Sequence, residues 1–239
     1  MKTPLLIFAF SLMLAAPFAD AQTGEFYSTF GSEMIFSFAS IDDNEQDASG
    51  VLRWTPVINL QTMLNYDFAK SFGLFTGIGV RNVGFIYDDY IDPVSGDKVK
   101  KKFRNYNIGI PIGLKVGNLD RLFVYGGYEI EFPLAYKEKT FQNEVKDKFV
   151  VWFSKRVPTV YHTLMVGVQF PYGAGLKFKY YLTNFHNKDY TATIDGTQYK
   201  PYEGLNSNVF YISLTFSLFK NTDLYYKQEL KTEGKYSAL

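Results

Sequence analysis

The feature that most constrains this chain is the order of its connection lengths. Apolar/polar alternation with a period of two recurs eight times, over 25–39, 56–69, 72–87, 104–117, 121–137, 158–170, 174–187 and 207–219, and the helical i, i+3, i+4, i+7 stripe is missing from these segments. Lys70-Ser71, Asn118-Leu119-Asp120 and Pro171-Tyr172-Gly173 read as tight turns joining strands two to three, four to five and six to seven. The other four connections, 40–55, 88–103, 138–157 and 188–206, are long. This alternation gathers the tight turns at one end of a sheet and the long loops at the other. A soluble meander has no reason to sort its loops by end, whereas a barrel inserted into a membrane has short turns on one side and longer loops on the other. The pattern predicts an all-β chain, an eight-stranded antiparallel up-and-down transmembrane β-barrel over 22–219.

The two faces of each strand carry the same message. In the fourth, Tyr106, Ile108, Ile110, Ile112, Leu114 and Val116 oppose Asn105, Asn107, Gly109, Pro111, Gly113 and Lys115. In the last, Phe210, Ile212, Leu214, Phe216 and Leu218 oppose Tyr211, Ser213, Thr215 and Ser217. A soluble lipocalin-like carrier would turn the polar face to water. The glycines on that face (Gly77, Gly79, Gly109, Gly113, Gly127 and Gly167) suit a tightly filled lumen instead, where small residues leave room for long ones. The opposite face is large and apolar, as a lipid-facing band requires.

The ends frame this barrel. Lys2, an apolar run from Leu5 to Ala16 and Ala19-Asp20-Ala21 form a charged start, a hydrophobic core and a small-x-small cleavage site, so 1–21 reads as a signal peptide. A run of about a dozen apolar residues is too short to span the bilayer as a helix, which needs about 20. Export then leads to the outer membrane of a Gram-negative bacterium. The last strand, ending at Phe219, resembles the signal read by the barrel-assembly machinery during biogenesis. Beyond it, 220–239 alternates Lys227, Glu229, Lys231, Glu233 and Lys235, and reads as a periplasmic C-terminal tail.

Composition removes several function classes. With 25 Lys+Arg against 24 Asp+Glu, there is no electrostatic case for a nucleic-acid partner. Zero cysteines exclude disulfides, thiolate metal sites and thiol nucleophiles, and only two histidines remain. His162 shares parity with Val160, Leu164 and Val166, on the lipid face, with no Ser beside it to act as nucleophile. No catalytic residue, metal site or cofactor is expected. The acidic runs at Asp42-Asp43-Asn44-Glu45 and Asp88-Asp89 lack calcium-loop spacing and read as solvated loop.

Two groups of residues are singled out. Glu33, Asp67, Arg81, Lys115, Glu129, Glu131, Lys177 and Lys179 lie on the polar face with mixed sign. Unpaired charges in a narrow lumen are costly, so these should pair and plug it. In loop 138–157, Phe149, Trp152 and Phe153 form an apolar cluster among Lys146, Lys148, Lys155 and Arg156, either an outer interfacial belt or a contact site.

The stretch Asn107-Ile108-Gly109-Ile110-Pro111-Ile112-Gly113-Leu114-Lys115, followed by Val124-Tyr125-Gly126-Gly127-Tyr128, resembles the PorT-like outer-membrane β-barrel family. So do Gly73-Leu74-Phe75-Thr76-Gly77-Ile78-Gly79-Val80 and the closing Tyr211-Ile212-Ser213-Leu214-Thr215-Phe216. The resemblance implies a signal-bearing integral barrel and brings no catalytic residues. The expected role is structural, anchoring or surface contact, with outer-membrane lipid and lipopolysaccharide around the barrel and a surface or periplasmic protein as partner. The alternatives are a small porin or transport-related channel, a lipid-modifying barrel enzyme and the soluble carrier.

Overall fold

The computed structural model describes residues 24–43, 46–92, 96–142, 145–194 and 196–219, so the signal segment 1–21 and the tail 220–239 lie outside the described residues. Eight strands form a ring: β1 (Glu25–Asp43), β2 (Leu60–Ala69), β3 (Phe72–Ile91), β4 (Lys98–Asn118), β5 (Leu122–Gln142), β6 (Tyr161–Gln169), β7 (Ala174–Tyr181) and β8 (Leu205–Phe216). Each pairs antiparallel with the next, and β8 returns to β1 in register from Ser32↔Phe216 to Asp43↔Leu205. The tight turns and the long connections sit at opposite ends, as the connection lengths predict.

Alternation decides which way each residue faces. On β4, Asn105, Asn107, Gly109, Pro111, Gly113 and Lys115 are buried, while Ile110, Ile112, Leu114 and Val116 are exposed. On β7, Lys177, Lys179 and Tyr181 are buried and Leu176, Phe178 and Tyr180 exposed. The barrel thus hides its charges and shows its hydrocarbon, the reverse of a soluble protein. Pro111 leaves a local mark: the β3–β4 ladder skips Gly77 and Ile78, opposite Ile110 and a proline with no N–H to give. The Thr76 hydroxyl donates to the Pro111 carbonyl at 2.7 Å.

Several connections differ from expectation. Segments 88–103 and 138–157 are mostly strand: β3 and β4 run on to a short connection, 92–97, and β5 continues into a hairpin with Val145–Trp152. Lys98, Lys100 and Lys102 on the outward side of this extension hide its alternation, because that side meets water and not lipid. Two short strands, Gln46–Ser49 and Arg53–Thr55, continue the wall beside β1. Strand seven ends at Tyr181, not 187, and the following chain folds over the barrel mouth, where Phe185 N donates to Ser207 O at 2.8 Å.

The C-terminal end of β8 also departs from the alternation. The strand stops at Phe216, Ser217 adopts a positive φ of 54°, and Leu218 and Phe219 turn into the barrel at 2% exposure each. Leu218 is therefore an interior residue and not part of the lipid-facing row, and Phe216 is the aromatic that ends the strand.

Candidate functional site

The lumen holds charges at three levels. At mid-height, β1 contributes Glu33, β3 Arg81, β5 Glu129 and Glu131, and β7 Lys177 and Lys179, all with side chains 1% exposed or less. Residues two apart on one strand share a face, which brings the Glu129/Glu131 pair opposite the Lys177/Lys179 pair. Arg81 Nη1 lies 2.5 Å from Glu129 Oε1, and Arg81 Nε 3.3 Å from Glu33 Oε1. Lys177 Nζ is 2.7 Å from Glu33, and Lys179 Nζ is 2.6 Å from Glu129 and also pairs with Glu131. Neutral donors complete the carboxylates: Asn107 and Tyr181 each donate to Glu131 at 2.7 Å, and Ser213 to Glu33 at 2.9 Å. Arg81 also donates to Gln61 at 2.7 Å. Each carboxylate faces cations, so the group closes without net charge, the condition under which burying ions is tolerated.

Glycine makes this packing sterically feasible. A Cβ on Gly109 would fall on the Glu129 carboxylate and the Arg81 guanidinium, and one on Gly79 would strike Arg81 as well.

Toward the turn end, Lys115 and Asp67 pair at 2.5 Å; Tyr27 donates to Asp67 at 2.8 Å, and the Lys115 ammonium donates to Tyr27 at 2.9 Å and Asn65 at 3.1 Å. Beneath them Met63, Phe75, Leu119, Phe123, Tyr125, Met165, Leu218 and Phe219 form an apolar floor. The Phe219 ring lies 4.9 Å from Tyr125, 5.3 Å from Phe123 and 5.4 Å from Phe75.

At the loop end an aromatic lid surrounds His186. Its ring stacks on Tyr202 at 4.2 Å and meets Phe103 edge-on at 4.5 Å. Tyr136 donates to Glu138 at 2.7 Å and Tyr202 does so at 3.3 Å, while Lys101 pairs with Glu138 at 2.8 Å. Arg156 donates to the Tyr202 hydroxyl at 3.2 Å and covers Phe149 and Tyr190. Burial, and then the charges of Lys101 and Arg156, hold His186 well below the ordinary histidine pKa. Its Nδ1 is buried with no partner among the described residues.

The eight charges named from sequence thus face the interior and fall into two groups, six at mid-height and Lys115 with Asp67 below them. Sequence reading missed the third group, Lys101, Glu138 and His186. Lys101 continues the odd-numbered inward row of β4 beyond its expected start. Glu138 was hidden by a register shift: β4 pairs Asn107↔Pro133 but Tyr106↔Ala135, so the inward set of β5 changes from odd to even numbers.

The three aromatic contact candidates separate. Phe149 packs into the lid against Tyr136 at 6.0 Å. Trp152 and Phe153 point outward, 66% and 74% exposed, and Trp152 pairs with Ala135, itself opposite Tyr106. His162 is exposed on the outer wall against the Tyr128 hydroxyl. Asp88 and Asp89 pair with Lys100 and Lys98 at 2.9 and 3.7 Å. Among the described residues no three His, Asp or Glu gather as a metal site.

No protein-family model and no curated protein matches the chain. Among solved structures it is similar to Neisserial surface protein A, at 11% identity and a TM-score of 0.37 over 80% of this chain and 99% of that one. It is similar to a major outer membrane protein from Thermus thermophilus, at 12% identity and 0.36, over 80% and 99%. Ail, the attachment invasion locus protein of Yersinia pestis, solved in complex with the heparin analogue sucrose octasulfate, is similar at 9% identity and 0.32, over 79% and 99%. The eight-stranded ring rests on the strand pairing itself and not on these likenesses.

Proposed function

We propose that this chain is an integral outer-membrane β-barrel, akin to the PorT-like barrels its strand motifs resemble, with a plugged lumen and a structural, anchoring or surface-contact role. Bulk diffusion and catalysis are not part of this role. The observation that carries the reading is the pairing of two opposite surfaces: a charge-balanced interior, and an exterior of exposed hydrocarbon. On β4 the outward row from Tyr106 to Val116 is about ten residues, roughly 33 Å of strand at ~3.3 Å per residue. At the ~40° tilt of such barrels this row rises ~25 Å, the height of the apolar band. Within this reading Trp152 and Phe153 are outer-interface anchors and Phe149 belongs to the lid. The long connections are the side on which a surface partner would bind, and 220–239 the periplasmic side.

Reconstitution into planar bilayers tests the plug. The expected record is a flat baseline. Stable conductance steps whose ion selectivity changes in Lys177→Glu would overturn the plug in favour of the small-channel reading. Recovery of the mature protein as a soluble monomer without detergent would overturn the membrane assignment.

A further inference from the structure

The outer wall carries a second set of charges that the lumen does not use. Above Tyr106, the outward row of β4 continues with Arg104 and Lys102, and their β5 neighbours in register are Lys137 and Lys139. These four, with Arg53, Trp54, Ile86 and Phe103, line a cleft of about 220 Å³. Its wall contains five cations and no carboxylate.

The neighbouring lysines on β4 behave differently. Lys98 and Lys100, further along the same outward row, each face an aspartate, whereas Lys102, Arg104, Lys137 and Lys139 have no carboxylate within 4 Å among the described residues. Like charges directly opposite one another on adjacent strands are destabilising. Here two such pairs, Arg104↔Lys137 and Lys102↔Lys139, stand side by side. A bound anion removes this repulsion.

The position of the cleft identifies the anion. Arg104 donates to the hydroxyl of Tyr106 at 3.2 Å, so its guanidinium rests directly on the top of the apolar row. Trp54, 60% exposed, forms part of the cleft wall. Tyrosine and tryptophan mark the headgroup level of a bilayer. A cationic cleft at that height, opening sideways, meets lipid headgroups before it meets anything free in solution. We infer that Lys102, Arg104, Lys137 and Lys139 form a binding site for the phosphorylated headgroup of an outer-leaflet lipid, backed by Arg53, which is buried and donates to Asn82 Oδ1 at 2.6 Å. Arginine supplies the planar fork that matches phosphate oxygens, and the lysines supply point charges.

This inference rests on the membrane reading, and its test keeps the two apart. The mature protein is purified in neutral detergent and presented separately with phosphorylated lipid A, the same lipid enzymatically dephosphorylated, and a soluble sulfated polysaccharide. Retained ligand is counted by native mass spectrometry and stabilisation is followed as Tm. The expected result is at least tenfold greater retention of the phosphorylated lipid than of the dephosphorylated one. Arg104→Gln/Lys137→Gln should lose that preference, and Lys98→Gln/Lys100→Gln should keep it. In lipid-free detergent the Arg104→Gln/Lys137→Gln protein should have an equal or higher Tm, which separates lost binding from lost folding. Equal retention of both lipids by a folded, detergent-requiring barrel overturns the site and leaves the barrel reading standing. Stronger binding of the soluble polysaccharide than of the phosphorylated lipid overturns the lipid assignment in favour of an extracellular polyanion.

Discussion

The guanidinium of Arg81 and the carboxylate of Glu129 meet 2.5 Å apart directly over Gly109, on strands that flank the glycine's own. Each has a further partner, Glu33 for Arg81 and Lys179 for Glu129, so removing one leaves the buried network one charge out of balance, a loss of about 3–5 kcal/mol. Arg81→Ala and Glu129→Gln are each expected to lower the unfolding free energy of the refolded barrel by that much. Because the partners belong to one network, the double variant should lose less than the sum. Additive losses in urea titrations would argue that the pair is energetically uncoupled.

Gly109→Ala tests the same contact from the backbone side. The added methyl displaces Glu129 and Arg81, and overpacking of this kind costs about 1–3 kcal/mol. Gly126→Ala is the control, since its nearest neighbour is the Met165 carbonyl at 3.5 Å. Thermal melts of the two variants should separate, with Gly126→Ala close to the parent.

The floor of the barrel depends on two residues beyond the last strand. Truncation after Phe219 should leave the denaturation midpoint unchanged. Truncation after Phe216 removes Leu218 and Phe219 from the apolar cluster, and a buried Phe→Ala alone costs about 3–5 kcal/mol. Equal stability of the two truncations would show that the floor packing contributes little.

His186 gives the loop-end lid a pH dependence whose sign follows from its depressed pKa. Above the ordinary value of about 6.5 the imidazole is neutral whether the lid is closed or open, and the closed state keeps its full stability. As pH falls below 6.5 the opened form takes up a proton and the closed form does not, so closure weakens by up to about 1.4 kcal/mol per pH unit. Lys101 and Arg156 face the ring, and Glu138 accepts hydrogen bonds from the tyrosines beside it. The free energy of lid opening, read from amide exchange across 182–204 after division by the base-catalysed intrinsic rate, should therefore fall between pH 7 and 5 in the parent and stay flat in His186→Phe. An identical fall in both would assign the effect to another group.

The chain has two tryptophans, so Trp54→Phe isolates the fluorescence of Trp152. In vesicles, quenchers attached near the lipid headgroup should quench Trp152 more strongly than aqueous iodide does. Preferential iodide quenching would place Trp152 in water, available to a surface partner.

How much was legible in advance depended on whether alternation faced a uniform environment. On β4, Ile110, Ile112 and Leu114 lie against a continuous apolar exterior, so parity alone sorted Gly109, Gly113 and Lys115 to the inside. Above Tyr106 the exterior turns polar, the contrast between faces disappears, and strand became indistinguishable from loop. Glu138 was lost for another reason: one extra residue near Pro133 reverses parity, and nothing in composition announces it. Leu218 was misassigned because Ser217 leaves the strand through a positive φ that continued alternation does not anticipate. Mid-height pairing was accessible because Glu129/Glu131 and Lys177/Lys179 each repeat at a spacing of two on regular strands.

The seam between β1 and β8 joins residues 32–43 to 205–216, nearly the two limits of the described chain. Until the last strand arrives, the first has an unsatisfied row of N–H and C=O groups, and an exposed edge in that condition recruits other strands. Glu33 is in the same position, because Lys177 and Ser213, two of its partners, come from the last two strands. Early and late synthesis are thus tied together twice, once through the backbone and once through charge. Such long-range pairing makes folding slow and cooperative. A chain interrupted before β8 is left with two open edges, so this barrel has no self-sufficient half and must be kept from aggregating until its final strand is delivered.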